Sequence, residues 1–400
     1  MNHSYIYKKL LPIFLIDILK KDEKFNIPVK DKFYCQDYDI KFIQYVKSYS
    51  ILNYIKRHRL VNFFKNNEIL LRFFPDIKVP LKLAALEEIK NSLSLISLTS
   101  YMASNFEKAN LPALFFKGIP LSIQAYEASD IRGGGDLDIF INPLDLEIAI
   151  KLIESNGFLK LKGKLTNNLK SLLGRYSIFT GYEISFYRKI NNRYQWVDLH
   201  WALSNVRGNL PNFETAWNNR VFVHIANQKI PTLSIQDSFH LSCAHAAKDQ
   251  WGIIRNLIDI NTLAQKINLE KANILKNYKA VKWSTYVVYN LTKDKKLKIY
   301  FNKFNFSFSW ILTIAKSSRS LPNGLWLRSY PWKIKNYIFL VLGTLIMSAN
   351  IIDFLRSLLY FILVPSEFVD PKTGNDYKFF SFLRNRFLSI KKKLFSIKHP

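Results

Sequence analysis

The stretch that decides the fold is "DIRGGGDLDIFIN", residues 130–142: three glycines, two aspartates separated by one leucine, then an apolar run. In an extended strand successive side chains face opposite sides, so Asp136, Asp138 and Phe140 share one face and Leu137, Ile139 and Ile141 the other. The apolar face suits a core covered by a helix. The other face sets two carboxylates side by side, and like charges that close raise each other's pKa unless something cationic sits between them. Gly133, Gly134 and Gly135 put no side chains in front of the pair, so backbone there can approach a phosphate closely. A divalent ion held by both carboxylates removes their repulsion and offers a ligand to phosphate oxygens. The plainer reading of the pair is an exposed strand end; the glycines and the shared face favour metal ligation.

A second stretch answers the first. In "WVDLHW" Trp196, Asp198 and His200 lie on one strand face, with Val197 and Leu199 on the other. An acid inside so aromatic a strand is poorly explained by solubility. If this strand neighbours residues 137–141, Asp198 joins Asp136 and Asp138 in a triad.

Around these motifs the chain reads as α+β, a small mixed β-sheet core with helices flanked by helical regions at both ends. Residues 1–110 carry three- and four-residue apolar spacing, as in "YIKRHRLVNFF" and "LSLISLTSYMASNFEKANLP". Residues 111–233 form the α/β core, with strands "ALFF" and "LDIFI", a helix over Leu144–Asn156, and "YEISFYRKI" joined to "YQWVDLHWAL" through an Asn-Asn hairpin turn. Residues 234–335 return to helix behind a capping box at Ser234 and Asp237. Residues 336–400 hold apolar helices and a basic tail.

Composition narrows the classes. The 400 residues are 48% hydrophobic and 22% charged, which is globular, and the length suits two or three units. The 58 Lys and Arg against 30 Asp and Glu give a net charge of +28, a field that attracts nucleic acid, anionic lipid or phosphate-bearing substrates. The cations are spread along the whole chain, which favours compositional bias over a nucleic-acid footprint. Two cysteines, Cys35 and Cys243, have no metal-ligand spacing and suit a reducing, cytoplasmic setting. The apolar run near the N-terminus is interrupted by Pro12 and Asp17 and reads as a helix rather than a signal peptide.

Together, "LPALFFKGIPLSIQAY", "IRGGGDLDIFI" and "VDLHW" resemble the nucleotidyltransferase-like family of the DNA polymerase β superfamily, in its branch with Lys-Gly, Arg-x-x-Gly-Asp-x-Asp and Asp-x-His motifs. The resemblance covers roughly residues 85–265, including "HAAKDQWGIIRNLIDINTL", similar to the helical segment after the core. It implies transfer of a nucleoside monophosphate from a nucleoside triphosphate such as ATP, with Mg²⁺ or Mn²⁺, to a hydroxyl or amine of a small molecule, sugar, protein or RNA. It further implies that Asp136 and Asp138 bind the metal and that Asp198 completes the set and activates the acceptor. The superfamily usually has Gly-Ser or Gly-Gly after the first strand, where this chain has Gly118-Ile119. The expected hydroxyl is missing, which leaves Lys117 to hold a phosphate, with Gly118, Gly134 and Gly135 near it. Arg132 directly precedes the glycines and is placed to neutralise charge on a transferred phosphoryl. His200 either orients Asp198 or contacts the bound nucleotide substrate, or it packs within the strand.

Two rival functions stand beside transfer: a catalytically silent module binding nucleotide or polyanion, and a membrane-associated protein working through its C-terminus. His240 and His245, five apart on a helix, share a face poorly and read as packing residues rather than a zinc site. Residues 336–352 are uncharged but short of a span, and a buried helix pair is the favoured reading. Phe380, Leu383, Phe387, Ile390, Leu394 and Ile397 form a stripe amid cations, with no acid from Lys378 to Pro400. That basic amphipathic helix suits either an anionic membrane, making the protein membrane-peripheral, or docking on its own fold, which the narrow stripe favours.

Overall fold

The computed structural model describes residues 48–161, 165–205, 208–249, 251–301, 347–363, 368–370 and 373–385, with positions 15 and 388. Four helices lead in: α1 (Ser48–Arg57), α2 (Val61–Phe64), α3 (Glu68–Phe73) and the 31-residue α4 (Lys78–Lys108). The α/β part follows as β1 (Ala113–Phe116), α5 (Gly118–Tyr126), β2 (Leu137–Ile141), α6 (Leu146–Ser155), β3 (Leu159–Lys160), α7 (Leu172–Thr180), β4 (Glu183–Ile190), β5 (Arg193–His200), α8 (Phe213–Asn218), β6 (Val221–Ile225) and β7 (Gln228–Thr232). Helices α9 (Ile235–Lys248), α10 (Ile254–Gln265), α11 (Leu269–Leu275), α12 (Lys279–Thr292) and α13 (Ile351–Leu363) close the series. The class is α+β, as the sequence predicts.

Five strands form one mixed sheet in the order β1-β2-β5-β4-β3, and β6 and β7 form a separate hairpin. β2 runs parallel to β5 and antiparallel to β1. The β4–β5 hairpin turns on Asn191 and Asn192, at φ 48° and 62°. Asparagine tolerates that left-handed pair, and the turn's twist matches that of the strands it joins. Ser234 caps α9 as its sequence predicts: its hydroxyl accepts from the Asp237 N–H and donates to the Asp237 carboxylate.

The two faces of the sheet have separate partners. Leu137, Ile139 and Ile141 join Phe115, Ile184, Phe186, Val197 and Leu199 beneath α4 and α6. On the opposite face Leu114, Phe116 and Phe140 pack with Phe213 and Ala216 of α8 and with Leu233 and Leu241. Beside this second cluster the same face carries the acids, Asp138 buried and Asp198 half-buried.

The helical segments from the two ends share a single core. Ile51, Tyr54, Phe63 and Phe64 from the leading helices are packed with Phe239, Ile254, Ile258, Val287 and Val288 from the later ones. α4 spans both bodies, placing Leu81 and Ala85 in the helical core and Leu95, Leu98, Met102 and Phe106 under the sheet.

Several expectations are corrected. "YIKRHRLVNFF" is not one helix: His58 and Arg59 break it, and Arg59 sits at φ 56°. The helix expected over Leu144–Asn156 begins as a 3₁₀ turn, Pro143–Asp145, because Asn142 caps there through its side chain. In the tail Phe382, not Phe380, is buried, against Leu173 and Phe368, while Phe380 is 80% exposed. The rest of that stripe beyond Leu388, the N-terminal run and most of residues 336–352 lie outside the described residues. Among the described residues, no helix is long and apolar enough to cross a membrane.

Ile139 is fully buried at the centre of the sheet's core face. Ile139→Ala is expected to lower unfolding free energy by about 2–5 kcal/mol, the range for a large-to-small change that leaves a cavity. Denaturant melts measure it; a loss below about 1 kcal/mol would mean that this face is not the packed one.

Candidate active site

Strand register brings the acids together. Across the parallel β2–β5 pair Asp138 lies opposite Asp198 and Phe140 opposite His200; across the β4–β5 hairpin Ser185 faces Asp198 and Glu183 faces His200. Ligand atoms of Asp138, Asp198 and His200 all lie within 4.8 Å of one another, a set able to hold a cation. Asp136, just ahead of β2, is exposed at the mouth and is not part of that group. Thus Asp138 and Asp198 meet as expected, His200 joins them, and Asp136 stands one step outward.

Asp138 is nearly inaccessible, at 3% exposure. Burial alone would raise its pKa, but Lys117 and His200 overcome that and hold the carboxyl well below its ordinary range. Its Oδ1 accepts from Lys117 Nζ at 2.5 Å and lies 2.9 Å from His200 Nε2. The cation that the sequence demands beside the aspartate is therefore, in part, a lysine of the chain itself. Lys117 reaches it through a strained turn, φ 55° and ψ −147°, a region that non-glycine residues seldom enter. Lys117, expected at a phosphate, thus directs its ammonium to Asp138.

Asp198 has no such cation. Burial first, then the Glu183 and Asp138 carboxylates, push its pKa up to about 6, with His200 and a hydrogen bond from Ser185 opposing. Asp136 is likewise raised, by burial and by Asp138, with Lys117 opposing. Two carboxylates and an imidazole are the oxygen and nitrogen donors that a hard or borderline divalent ion takes, and the upward shifts mark a surplus of negative charge that such an ion would relieve. The donor set fits Mg²⁺ or Mn²⁺.

Asp136 and Asp198 border an open cavity of about 480 Å³, lined also by Gly133, Gly134, Gly135, Ser185 and Trp196 and by the charged groups Arg59, Glu88, Arg132 and Arg255. The three glycines differ in function. Gly133 holds φ +62°; a Cβ on Gly134 would come within 2.8 Å of Leu95 and 3.5 Å of Gly118; only at Gly135 is the space open to a ligand. Gly134 and Gly118 are therefore packed against each other, Gly118 is buried at the start of α5, and Gly135 keeps the expected open approach.

Arg132 departs from its expected task. Its Nε donates to Asp259 Oδ2 at 2.8 Å, both side chains are buried, and Tyr126 donates to the other Asp259 oxygen at 2.7 Å. Arg132 anchors the glycine loop to α10. Asp259, Glu183, Arg59 and Arg255 went unassigned from sequence. Asp259 and Arg255 lie within "GIIRNLIDINTL", whose i to i+4 spacing puts both on one helix face, the only local signal either carries. His240 is buried, stacked on Tyr278, and burial lowers its pKa to about 4. His245 lies 3.4 Å from Asp249. Neither histidine belongs to a metal-capable group among the described residues.

Two outcomes follow from these placements. A folded-state pKa raised to about 6 favours the folded protein below the ordinary aspartate range and is lost as pH rises through about 6. Asp198→Asn is therefore expected to stabilise the metal-free protein by up to about 2 kcal/mol near pH 7.5 and by almost nothing near pH 4. Melts in EDTA at both pH values check it, and equal effects at the two would remove the charge penalty from Asp198. Asp259→Asn leaves the Arg132 guanidinium buried without its counter-charge and is expected to cost about 3–5 kcal/mol; a variant that melts like the wild type would show the pair to be dispensable.

A family model described as uncharacterised nucleotidyltransferase matches residues 47–296. Among solved structures, the crystal structure of an antigenic nucleotidyltransferase-like protein from Paracoccidioides brasiliensis is similar at 14% sequence identity and a TM-score of 0.37, over 52% of this chain and 94% of that one. No curated protein matches. The matched span covers well over half of the 400 residues and every group that lines the acidic cavity, from Arg59 to Arg255. This chain belongs to the family of uncharacterised nucleotidyltransferases.

Proposed function

We propose that the protein transfers a nucleoside monophosphate from a nucleoside triphosphate to a hydroxyl or amine acceptor in the cavity beside β2 and β5. The observation that carries this reading is the cross-strand pair Asp138–Asp198, two carboxylates opposite each other on parallel strands, with Asp198 lining an open cavity and Asp138 buried behind it. Mg²⁺ or Mn²⁺ held by Asp138 and Asp198, with His200 or Asp136 beside them, would supply Lewis-acid stabilisation of phosphate charge.

The residues divide the remaining tasks. Lys117 and His200 keep Asp138 ionised and fix its orientation. Asp198, whose carboxylate lines the cavity opposite Asp138, would accept a proton from an acceptor hydroxyl. The acceptor oxygen then bonds to the α-phosphorus, the bond between that phosphorus and the bridging α–β oxygen breaks, and pyrophosphate leaves with the bonding pair. Gly135 admits the phosphate chain to the backbone. Trp196, half-buried on the same face two residues before Asp198, gives a planar surface for a base or an acceptor ring.

A second reading, nucleotide binding without turnover, draws on one specific observation: the ammonium of Lys117 already occupies Asp138 Oδ1. The same assay separates the two. Wild-type protein with each nucleoside triphosphate, Mg²⁺ and a panel of acceptors is expected to release pyrophosphate, to stop in EDTA, and to lose about two to four orders of magnitude in rate in Asp198→Asn while keeping nucleotide affinity. Saturable nucleotide binding with no pyrophosphate release by any acceptor or cell extract would establish the silent module instead.

A further inference from the structure

A second group of charges in the cavity has no assigned task. Arg255 on α10 is 5% exposed, its Nε has no hydrogen-bond partner, and its Nη1 donates to the Arg132 carbonyl at 3.0 Å. Among the described residues no carboxylate lies within ion-pair distance of it, because Asp259, one turn along, is taken by Arg132 and Tyr126. Burial, with Arg132 beside it, lowers its pKa to about 9, Asp259 opposing. A buried guanidinium held this way is destabilising in the free protein unless an anion completes it. Arg255 lines the open cavity, so an anion can reach it.

Arg59 stands on the same wall. It is exposed, and it sits at φ 56° in the break between α1 and α2. Glu88 is the acid of this wall; burial raises its pKa, with Arg255, Arg59 and Lys65 opposing. The cavity therefore combines carboxylates from the sheet with guanidinium groups from the helical body.

The phosphate-holding position that the resemblance implies lacks its usual hydroxyl or glycine in this chain. After β1 the sequence runs Lys117-Gly118-Ile119; Lys117 is bound to Asp138, and Ile119, where a hydroxyl or a glycine is expected, is fully buried in the sheet core. We infer that Arg255, assisted by Arg59, forms an oxyanion subsite that holds the polyphosphate chain of the nucleotide from the helical side of the cavity. Guanidinium groups suit this task, because their forked donors match phosphate oxygens in pairs and carry full charge. The inference rests on the nucleotidyl-transfer reading for the identity of its ligand, but the subsite itself needs neither metal nor turnover.

The experiment is calorimetry of the full-length protein with inorganic tripolyphosphate in EDTA. Saturable binding is expected, weakened about tenfold or more in Arg255→Met and severalfold in Arg59→Gln, as loss of charge-assisted hydrogen bonds demands. Where Arg255→Met melts early, Arg255→Lys, which keeps the charge and loses the fork, and the exposed Arg59→Gln decide the matter. Wild-type affinity in those folded variants, or no tripolyphosphate binding at all, would overturn the subsite. Orthophosphate is expected to bind at least about tenfold more weakly than tripolyphosphate; equal affinity would identify a single-phosphate site, such as one for a phosphorylated acceptor, and overturn the polyphosphate assignment. Arginine-dependent tripolyphosphate binding without pyrophosphate release from nucleotides would leave the subsite standing and remove the transfer reading. Transfer with an unchanged KM for nucleotide in the Arg59→Gln and Arg255→Lys proteins would do the reverse.

Discussion

Parallel pairing of β2 with β5 sets Asp138 opposite Asp198, and the rest of the site accommodates that pairing. Two acids at one rung of a sheet are mutually destabilising, and burying one of them compounds the effect. The chain offsets the inner carboxylate with Lys117 and His200, and the lysine makes that contact from a backbone region that favours glycine. The outer carboxylate is left uncompensated and retains the electrostatic demand on which the proposed chemistry draws. Stability is given up at one aspartate and not the other, a division common where a site must bind something charged.

The geometry that meets this demand comes from both ends of the chain. The sheet supplies acids; the helical body, assembled from α1–α3 and α9–α12, supplies guanidinium groups and the Asp259 anchor. Arg132 joins them. Its carbonyl receives Arg255 and its side chain ends on Asp259, so the glycine loop is held from α10 rather than from its own strand. α4 runs beneath both bodies and fixes their spacing through one continuous helix.

What was legible in the sequence was what local periodicity encodes. Alternation put Asp138 and Asp198 on strand faces that do meet, Asn191-Asn192 announced its turn, and Ser234 announced its cap. The partners of those residues were not legible, because they are set by tertiary contacts. Arg132 and Asp259 are 127 positions apart, and no pattern at either end says that a basic residue beside glycines will be consumed by an acid on a distant helix. The break at His58-Arg59 is invisible for another reason: apolar spacing continues across it, and periodicity does not register a single left-handed residue. The tail shows the same limit, since Phe379, Phe380, Phe382 and Leu383 offer two overlapping stripes and only the contact with Leu173 selects Phe382.

Two cations expected at phosphate are informative as a pair. Lys117 and Arg132 were both given to phosphate because each is a cation next to glycine, and both are instead bound to buried acids. A cation beside a flexible backbone is equally suited to neutralising an internal carboxylate, and where burial is deep the internal partner wins, because leaving that acid unpaired would cost several kcal/mol. The cations still able to meet an incoming anion are then those whose own carboxylates are already taken or never present. In this cavity that condition singles out Arg255, whose neighbouring acid belongs to Arg132.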